Sequence, residues 1–153
     1  MTRLARARVI DLNTRVDPRG ALTAIEGALD IPFFIARLFY MYRVTPPFER
    51  GGHAHPDTEQ FLIAVSGQLT IDLSDGSAEQ TYVLDDPSRG LYVPPLVWTR
   101  LYDFTADAVC LAAASTHYDE ATVIRDWGLY LQRLSALSSQ LSGDEDASPA
   151  PDG

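Results

Sequence analysis

The residues best suited to acid–base chemistry are two histidines near the middle of the chain. His53 and His55 belong to the hexapeptide 50–55, Arg-Gly-Gly-His-Ala-His, and the 153 residues contain only three histidines. On an extended strand, residues two apart leave the same face, so we expect both imidazoles to enter one pocket. An imidazole can take or give a proton near neutral pH, and it is also a common metal ligand. Because Arg50 adds a permanent positive charge, the hexapeptide predicts a reactive pocket for an anionic substrate.

The layout around the histidines resembles a cupin, a small double-sheet jelly roll, but it lacks the cupin metal ligands. In metal-binding cupins the first motif supplies two histidines and a glutamate, and a second motif supplies a third histidine. Here Gln60 holds the carboxylate position, and Glu59, one residue out of phase, faces the other side of the strand. Thr99 stands where the third histidine would be. Two imidazoles and an amide bind Zn²⁺ or Fe²⁺ poorly, so we expect no metal and no cofactor.

Length and charge indicate one acidic globular domain. The chain is long enough for a single hydrophobic core, and its net charge of −9 argues against a nucleic-acid partner. No apolar run reaches membrane-spanning length, and the N-terminal charges are not followed by the apolar core of a secretion signal. The one cysteine, Cys110, lies in an apolar run and is expected to be buried. We expect a cytoplasmic protein that does not bind membranes.

Most of the chain has the pattern of short strands separated by turns. Ser66-Gly67 and Asp75-Gly76 fit tight hairpins between β-like runs. Many short strands at regular spacing predict an all-β sandwich or barrel. The predicted strands are 21–26, 36–43, 61–65, 68–73, 79–84, 90–93, 98–104 and 108–114.

The pattern changes to helical spacing near the C-terminus. Apolar residues from Val123 to Leu137 recur at steps of three and four, which predicts a helix over about 120–141. This helix would cover part of the barrel or pack across a dimer. Residues 1–141 are therefore assigned to one domain, and 142–153 are predicted to be a disordered acidic tail.

Several separate blocks of sequence resemble the nucleotide-sugar 3,4-ketoisomerases of the cupin superfamily. The most specific is 50–55 with Glu59-Gln60 behind it. The resemblance implies a cupin-type jelly-roll barrel with a C-terminal helix, which acts as a homodimer without a metal. It implies conversion of dTDP-4-keto-6-deoxyglucose to a dTDP-3-keto-6-deoxyhexose in deoxysugar biosynthesis. The blocks are 17–22, 24–26, 31–33, 37–40, 50–55, 59–60, 75–76, 90–93, 97–98, 103–104 and 118–120.

The resemblance assigns the proton transfers to the two histidines. His53 matches the catalytic base, and His55 matches a partner that moves the hydroxyl proton between two oxygens. Arg37 and Arg50 are candidates for the diphosphate or the sugar oxygens, because a guanidinium binds phosphate through two parallel hydrogen bonds. Arg37 is equally compatible with a charge on the strand surface. His117 is interpreted as an ordinary polar residue.

The remaining candidates would line the substrate pocket. Tyr40 and Gln60 could donate hydrogen bonds to developing negative charge. Trp98 and Tyr102 could stack on the sugar or thymine, although aromatic residues on strands also fill cores. Close relatives carry a histidine directly after the tryptophan, where this chain has Thr99. A threonine cannot shuttle protons at neutral pH, so the product stereochemistry, the substrate or the rate could differ.

Two alternatives to the isomerase stay open at the level of sequence. The substitution at Thr99 is compatible with a dTDP-sugar-binding cupin that assists a partner enzyme without turnover. Metal bound by His53 and His55 would instead indicate a metal-dependent cupin enzyme.

Overall fold

The protein, described here for residues 2–146 by a computed structural model, consists mainly of antiparallel strands. Five strands form one sheet in the order β1-β9-β6-β11-β4, and four form a second in the order β5-β10-β7-β8, while β2 and β3 make a separate hairpin. The elements are α1 Arg3–Arg6, β1 Arg8–Asp11, β2 Thr14–Asp17, β3 Gly20–Thr23, β4 Arg37–Tyr42, β5 Arg50–His53, β6 Gln60–Ser66, β7 Leu69–Ser74, β8 Glu79–Leu84, β9 Arg89–Val93, β10 Trp98–Tyr102, β11 Val109–Ala114, a 3₁₀ turn Glu120–Thr122 and α2 Trp127–Asp146.

The two larger sheets enclose one apolar core because their strands alternate between inward and outward residues. Leu69, Ile71 and Leu73 of β7 are completely buried, and they cluster with Leu62 and Ala64 of β6 in the other sheet. The prediction of an all-β cupin-type barrel with a C-terminal helix is confirmed. All eight predicted strands are present, and β5 is the extended segment expected at the histidines, although it ends at His53. The sequence did not predict α1 or the short strands β1 and β2.

The C-terminal helix begins and ends later than predicted. α2 covers Trp127–Asp146 rather than about 120–141, so residues 142–146 of the predicted tail are helical. Ile124 cannot be helical because its backbone exchanges two hydrogen bonds of 2.9 Å with Ala54. Asp126 then starts the helix by accepting a hydrogen bond from the backbone N–H of Leu129 at 2.9 Å. The rest of the predicted tail, 147–153, lies outside the described residues.

The helix packs on its own barrel. Tyr130 is completely buried, and its hydroxyl lies 3.1 Å from the carbonyl oxygen of Ser74 and 2.9 Å from that of Leu96. The rings of Trp98 and Trp127 meet edge to face at 5.2 Å. This contact fixes the segment that leads into α2. None of the helices described is both long and apolar enough to cross a membrane.

Candidate active site

A close approach between β5 and β10 sets the position of the first histidine. His53 ends β5 and lies directly opposite Thr99 of β10. Gly51 has φ +83°, and a Cβ at this position would lie 2.6 Å from the carbonyl oxygen of Thr99. Only glycine fits both the backbone conformation and the narrow gap. The glycine therefore brings His53 against β10 at the rim of the barrel core.

The structure brings the two imidazoles together. The ring centroids of His53 and His55 are 4.7 Å apart, and the rings are almost perpendicular, at 88°. They line a cavity of about 330 Å³, which lies within the size range of small-molecule sites. The cavity is lined by Arg37, Phe39, His53, His55, Tyr118 and Arg125.

Two arginines give the cavity its positive charge. The guanidinium of Arg37 lies 5.2 Å from the ring centroids of both Phe39 and Tyr118. Arg125 donates a hydrogen bond from Nη2 to the hydroxyl of Tyr118 at 3.2 Å. Within residues 2–146, no carboxylate forms an ion pair with either arginine. The cavity is therefore built to receive a negatively charged ligand.

Two residues that line the cavity each carry a buried nitrogen that lacks a hydrogen-bond partner. In the part of the chain that the structure describes, the buried side-chain polar atoms without a hydrogen-bond partner are Nε of Arg37 and Nδ1 of His53. Buried polar groups in proteins are nearly always satisfied, so exceptions require an explanation. Their position on one cavity, beside unpaired positive charge, indicates a polar, anionic ligand.

Burial and nearby cations keep both imidazoles neutral at neutral pH. Burial is the main cause that lowers the pKa of His55 to about 4, and His53, Arg37 and Arg125 add repulsion. Burial also lowers the pKa of His53, with a further contribution from Arg125. Contact with the Gly51 backbone opposes that second shift, although Nδ1 lacks a well-formed hydrogen bond. A neutral imidazole is the form that can accept a proton.

Two predicted residues, Thr99 and Gln60, are buried and face the inside of the barrel. Thr99 is buried opposite His53, and its hydroxyl donates to the carbonyl of Val97 at 3.3 Å. Gln60 is buried in phase with the inward residues of β6. Glu59 faces the other side, where it accepts a hydrogen bond of 2.6 Å from Tyr92. The prediction from strand alternation was therefore right: the amide of Gln60 faces inward, and the carboxylate of Glu59 does not.

Tyr40 and Arg50 do not reach this cavity. The side chain of Tyr40 is 63% exposed on the outer face of β4, where it stacks on Tyr42. β4 alternates, so Arg37 points inward and Tyr40, three positions later, points outward. Arg50 is exposed and lines a separate cleft with Tyr42 and Arg43.

Trp98 and Tyr102 also point away from the cavity. Both lie on the outer face of β10, because Thr99 between them faces inward. Trp98 packs against Trp127 beneath α2, and Tyr102 donates a hydrogen bond of 3.0 Å to Asp72. Their predicted stacking on the substrate is corrected to roles in packing and in a surface hydrogen-bond network.

Sequence reasoning missed three residues of the cavity: Phe39, Tyr118 and Arg125. Phe39 follows Arg37 by two positions, so strand alternation could have placed it there. Tyr118 and Arg125 follow β11, in a segment that returns to pair with the histidine strand through Ala54 and Ile124. No local pattern reveals that pairing.

Comparison with known proteins identifies the family of this chain. The family model described as FdtA, WxcM-like, C-terminal, matches residues 5–135. The chain belongs to this family. A relative from Aneurinibacillus thermoaerophilus, a TDP-4-oxo-6-deoxy-α-D-glucose 3,4-oxoisomerase, is 37% identical over 136 residues, which are 89% of this chain and 98% of the relative.

Solved 3,4-ketoisomerases are similar to this FdtA-family chain in both sequence and fold. A mutant of QdtA from Thermoanaerobacterium thermosaccharolyticum, in complex with TDP-4-keto-6-deoxyglucose, is 38% identical with a TM-score of 0.82, covering 85% of this chain and 94% of that one. A 3,4-ketoisomerase from Helicobacter canadensis is 35% identical with a TM-score of 0.83, covering 85% and 98%.

Proposed function

We propose that this FdtA-family protein is a sugar-nucleotide 3,4-ketoisomerase. It converts dTDP-4-keto-6-deoxyglucose to a dTDP-3-keto-6-deoxyhexose, a step in deoxysugar biosynthesis. The observation that carries the proposal is the pair of half-buried imidazoles, with ring centroids 4.7 Å apart, in a cavity that also holds two arginines with no carboxylate partner among the described residues. The activities of the family members described above support the same reaction.

Two proton transfers account for the reaction, and each uses one imidazole. Neutral His53 removes the proton from C3 of the sugar, and the electron pair of that bond forms an enediolate with negative charge on the C4 oxygen. His55 moves the hydroxyl proton from the C3 oxygen to the C4 oxygen. The proton held by His53 returns to C4, which leaves a carbonyl at C3 and a hydroxyl at C4. Such transfers need groups within hydrogen-bond reach that match the working pH.

The arginines stabilise the negative charges in this sequence. Arg37 and Arg125 are suited to bind the diphosphate, and preorganised donors also stabilise a developing enediolate. In the free enzyme both cations lower the pKa of His55. A bound diphosphate would offset this repulsion and raise that pKa toward the range in which an imidazole exchanges protons readily. Binding of the substrate would therefore bring the pKa of His55 into the range that proton transfer requires.

The proposed reaction uses no metal. Among the residues described, no group of three His, Cys, Asp or Glu side chains lies close enough to hold a metal ion. The two residues at the positions of the other cupin ligands are Thr99 and Gln60, whose hydroxyl and amide are weak ligands for Zn²⁺ and Fe²⁺. A metal-free mechanism, in which arginines stabilise an anionic enediolate, fits this set of side chains. A sugar-binding protein without turnover would not need two neutral imidazoles in contact.

We also propose that the enzyme is a homodimer formed through β4. β4 is an edge strand of the five-stranded sheet, and its outer face exposes Leu38, Tyr40 and Tyr42 at 61%, 63% and 53%. An exposed apolar edge is a site for association with a second copy. Light scattering should give twice the chain mass, and Tyr40→Glu should shift it toward the monomer. A monomeric wild type would contradict this proposal.

Proton NMR with dTDP-4-keto-6-deoxyglucose in D₂O tests the reaction directly. We expect a new 3-keto sugar, with deuterium at C4 to the extent that the proton on His53 exchanges with solvent before it returns. The couplings of the C4 proton, measured in a parallel reaction in H₂O, assign the configuration there. His53→Asn, shown to be folded by circular dichroism, is the control for enzyme-independent exchange. Unchanged substrate with a folded wild-type enzyme would exclude the isomerase function.

A further inference from the structure

Tyr118 contacts both arginines of the cavity. Its ring centroid lies 5.2 Å from the guanidinium carbon of Arg37, and its hydroxyl accepts a hydrogen bond of 3.2 Å from Nη2 of Arg125. The two arginines come from distant parts of the chain: Arg37 opens β4, and Arg125 precedes α2. Tyr118 lies after β11 and joins them across the cavity.

A tyrosine suits this position because it holds cations without neutralising them. Two guanidinium groups that face one cavity repel each other, and each would move toward solvent if nothing held it. A carboxylate would hold both, but it would also cancel the charge that attracts an anion. The aromatic face and the phenol oxygen attract the guanidinium groups and leave their net charge for the ligand.

We propose that Tyr118 is a positioning residue that holds Arg37 and Arg125 together as one binding site for the substrate diphosphate. The inference rests on the proposed function for the identity of the anion. It extends that function to a residue outside the histidine motif, one that acts through the arginines rather than on the sugar. The ring of Phe39 also lies 5.2 Å from the guanidinium carbon of Arg37, so two aromatic rings contact this arginine.

Two substitutions separate the contributions of the ring and the hydroxyl. Tyr118→Phe keeps the ring over Arg37 and removes the acceptor for Arg125, whereas Tyr118→Leu removes both contacts. Calorimetry with TDP should show a dissociation constant raised about tenfold for Tyr118→Phe, and more for Tyr118→Leu. Tyr82→Phe is the matched control, because it also loses one phenol hydrogen bond, to Gln80 on the distant strand β8. Its affinity for TDP should equal that of the wild type.

A second measurement detects the position of the arginines without any ligand. The charged or titratable groups that face His55 are His53 on β5, Arg37 on β4, Arg125 before α2 and the phenol of Tyr118. If a variant lets an arginine move away, its repulsion on His55 weakens and the pKa of His55 rises. NMR titration of the imidazole should show this upward shift in Tyr118→Phe and a larger one in Tyr118→Leu. If Tyr118 only stabilised the fold, its substitution would lower the melting temperature without changing the pKa of His55.

The outcomes distinguish this proposal from the proposed function. Wild-type affinity for TDP together with a wild-type titration of His55 in folded Tyr118→Phe would overturn the positioning role, even if Tyr118→Leu fails to fold. A folded wild type that does not bind TDP would overturn it as well. If both readouts shift as expected but the wild type does not convert dTDP-4-keto-6-deoxyglucose, the positioning role stands and the isomerase proposal fails.

Discussion

Arg37 and Arg100 lie on opposite sides of the barrel wall, and their surroundings differ in the charge they leave available. Arg100, on the outer face of β10, binds Glu49 at 2.6 Å and Asp72 at 3.2 Å, and its guanidinium also lies over the ring of Tyr102. Arg37, on the inner face of β4, has aromatic neighbours but no carboxylate among the described residues.

This difference shows that the positive charge of Arg37, unlike that of Arg100, remains available for a ligand. A surface cation gains a little stability from carboxylate partners and has no further task. A partly buried cation without a partner costs stability, so its retention indicates a role in function. Experiments can therefore distinguish the roles of the inner and outer arginines. The first experiment tests the proton-transfer chemistry that the positive charges of the inner arginines support.

Removal of the base should have the largest effect. His53→Asn should lower the turnover rate by roughly 10²- to 10⁴-fold, because an amide cannot accept the C3 proton. TDP affinity should change little, since the arginines remain in place. Rates from NMR time courses and calorimetry with TDP measure the two quantities. A variant that retains full turnover would show that another group is the base.

The inner and outer arginines should give opposite results when each is replaced by alanine. Arg37→Ala and Arg125→Ala should each weaken TDP binding by roughly 10- to 100-fold, because each loses a charge-assisted hydrogen bond to the diphosphate. Arg100→Ala should leave TDP affinity unchanged and lower the melting temperature slightly. Equal effects of Arg100→Ala and Arg125→Ala on affinity would remove the distinction between the two faces.

The glycines before His53 provide a test of how the site is positioned. Gly51→Ala should cost about 2–4 kcal/mol of unfolding free energy, because a left-handed backbone conformation and a contact with the Thr99 carbonyl add together. It should also reduce turnover by displacing His53. Gly52→Ala is the control: its φ is +71°, but no atom lies within 4 Å of the added Cβ, so it should cost about 1 kcal/mol. Equal melting temperatures of the two variants would contradict this explanation.

Acid should weaken the fold through the half-buried imidazoles. The pKa of His55 is lowered to about 4 in the folded protein, so between that value and about 6.5 the unfolded chain binds more protons. Stability should therefore fall as the pH drops from about 6.5 toward 4. The melting temperature of the wild type should decrease more over this range than that of His55→Gln. Identical pH dependence would show that His55 is not buried as described.

The sequence predicted the parts of the site that depend on alternation along one strand. The spacing of His53 and His55 placed both rings on one cavity, and the frame of β6 turned Gln60 inward and Glu59 outward. The same rule also argues against two other candidates: if Thr99 faces inward, Trp98 and Tyr102 on the same strand cannot, and the structure places Trp98 beneath α2.

Other parts of the site depend on contacts between distant segments. Arg125 reaches the cavity because Ile124 pairs with Ala54, seventy positions earlier, and no periodic pattern encodes that bridge. The same pairing delays the start of α2, which is why the predicted helix began too early. The family resemblance gave the reaction class, but it did not reveal the arginine that precedes the helix.

The bridge between Ala54 and Ile124 has a consequence for how the enzyme loses activity on heating. Ala54 lies between the two histidines, and its backbone is tied to the residue beside Arg125. If the aromatic seam formed by Trp98, Trp127 and Tyr130 opens, the C-terminal helix detaches and that tie is released. The catalytic pocket should therefore come apart before the barrel melts, and efforts to prolong the working life of the enzyme should reinforce this seam first.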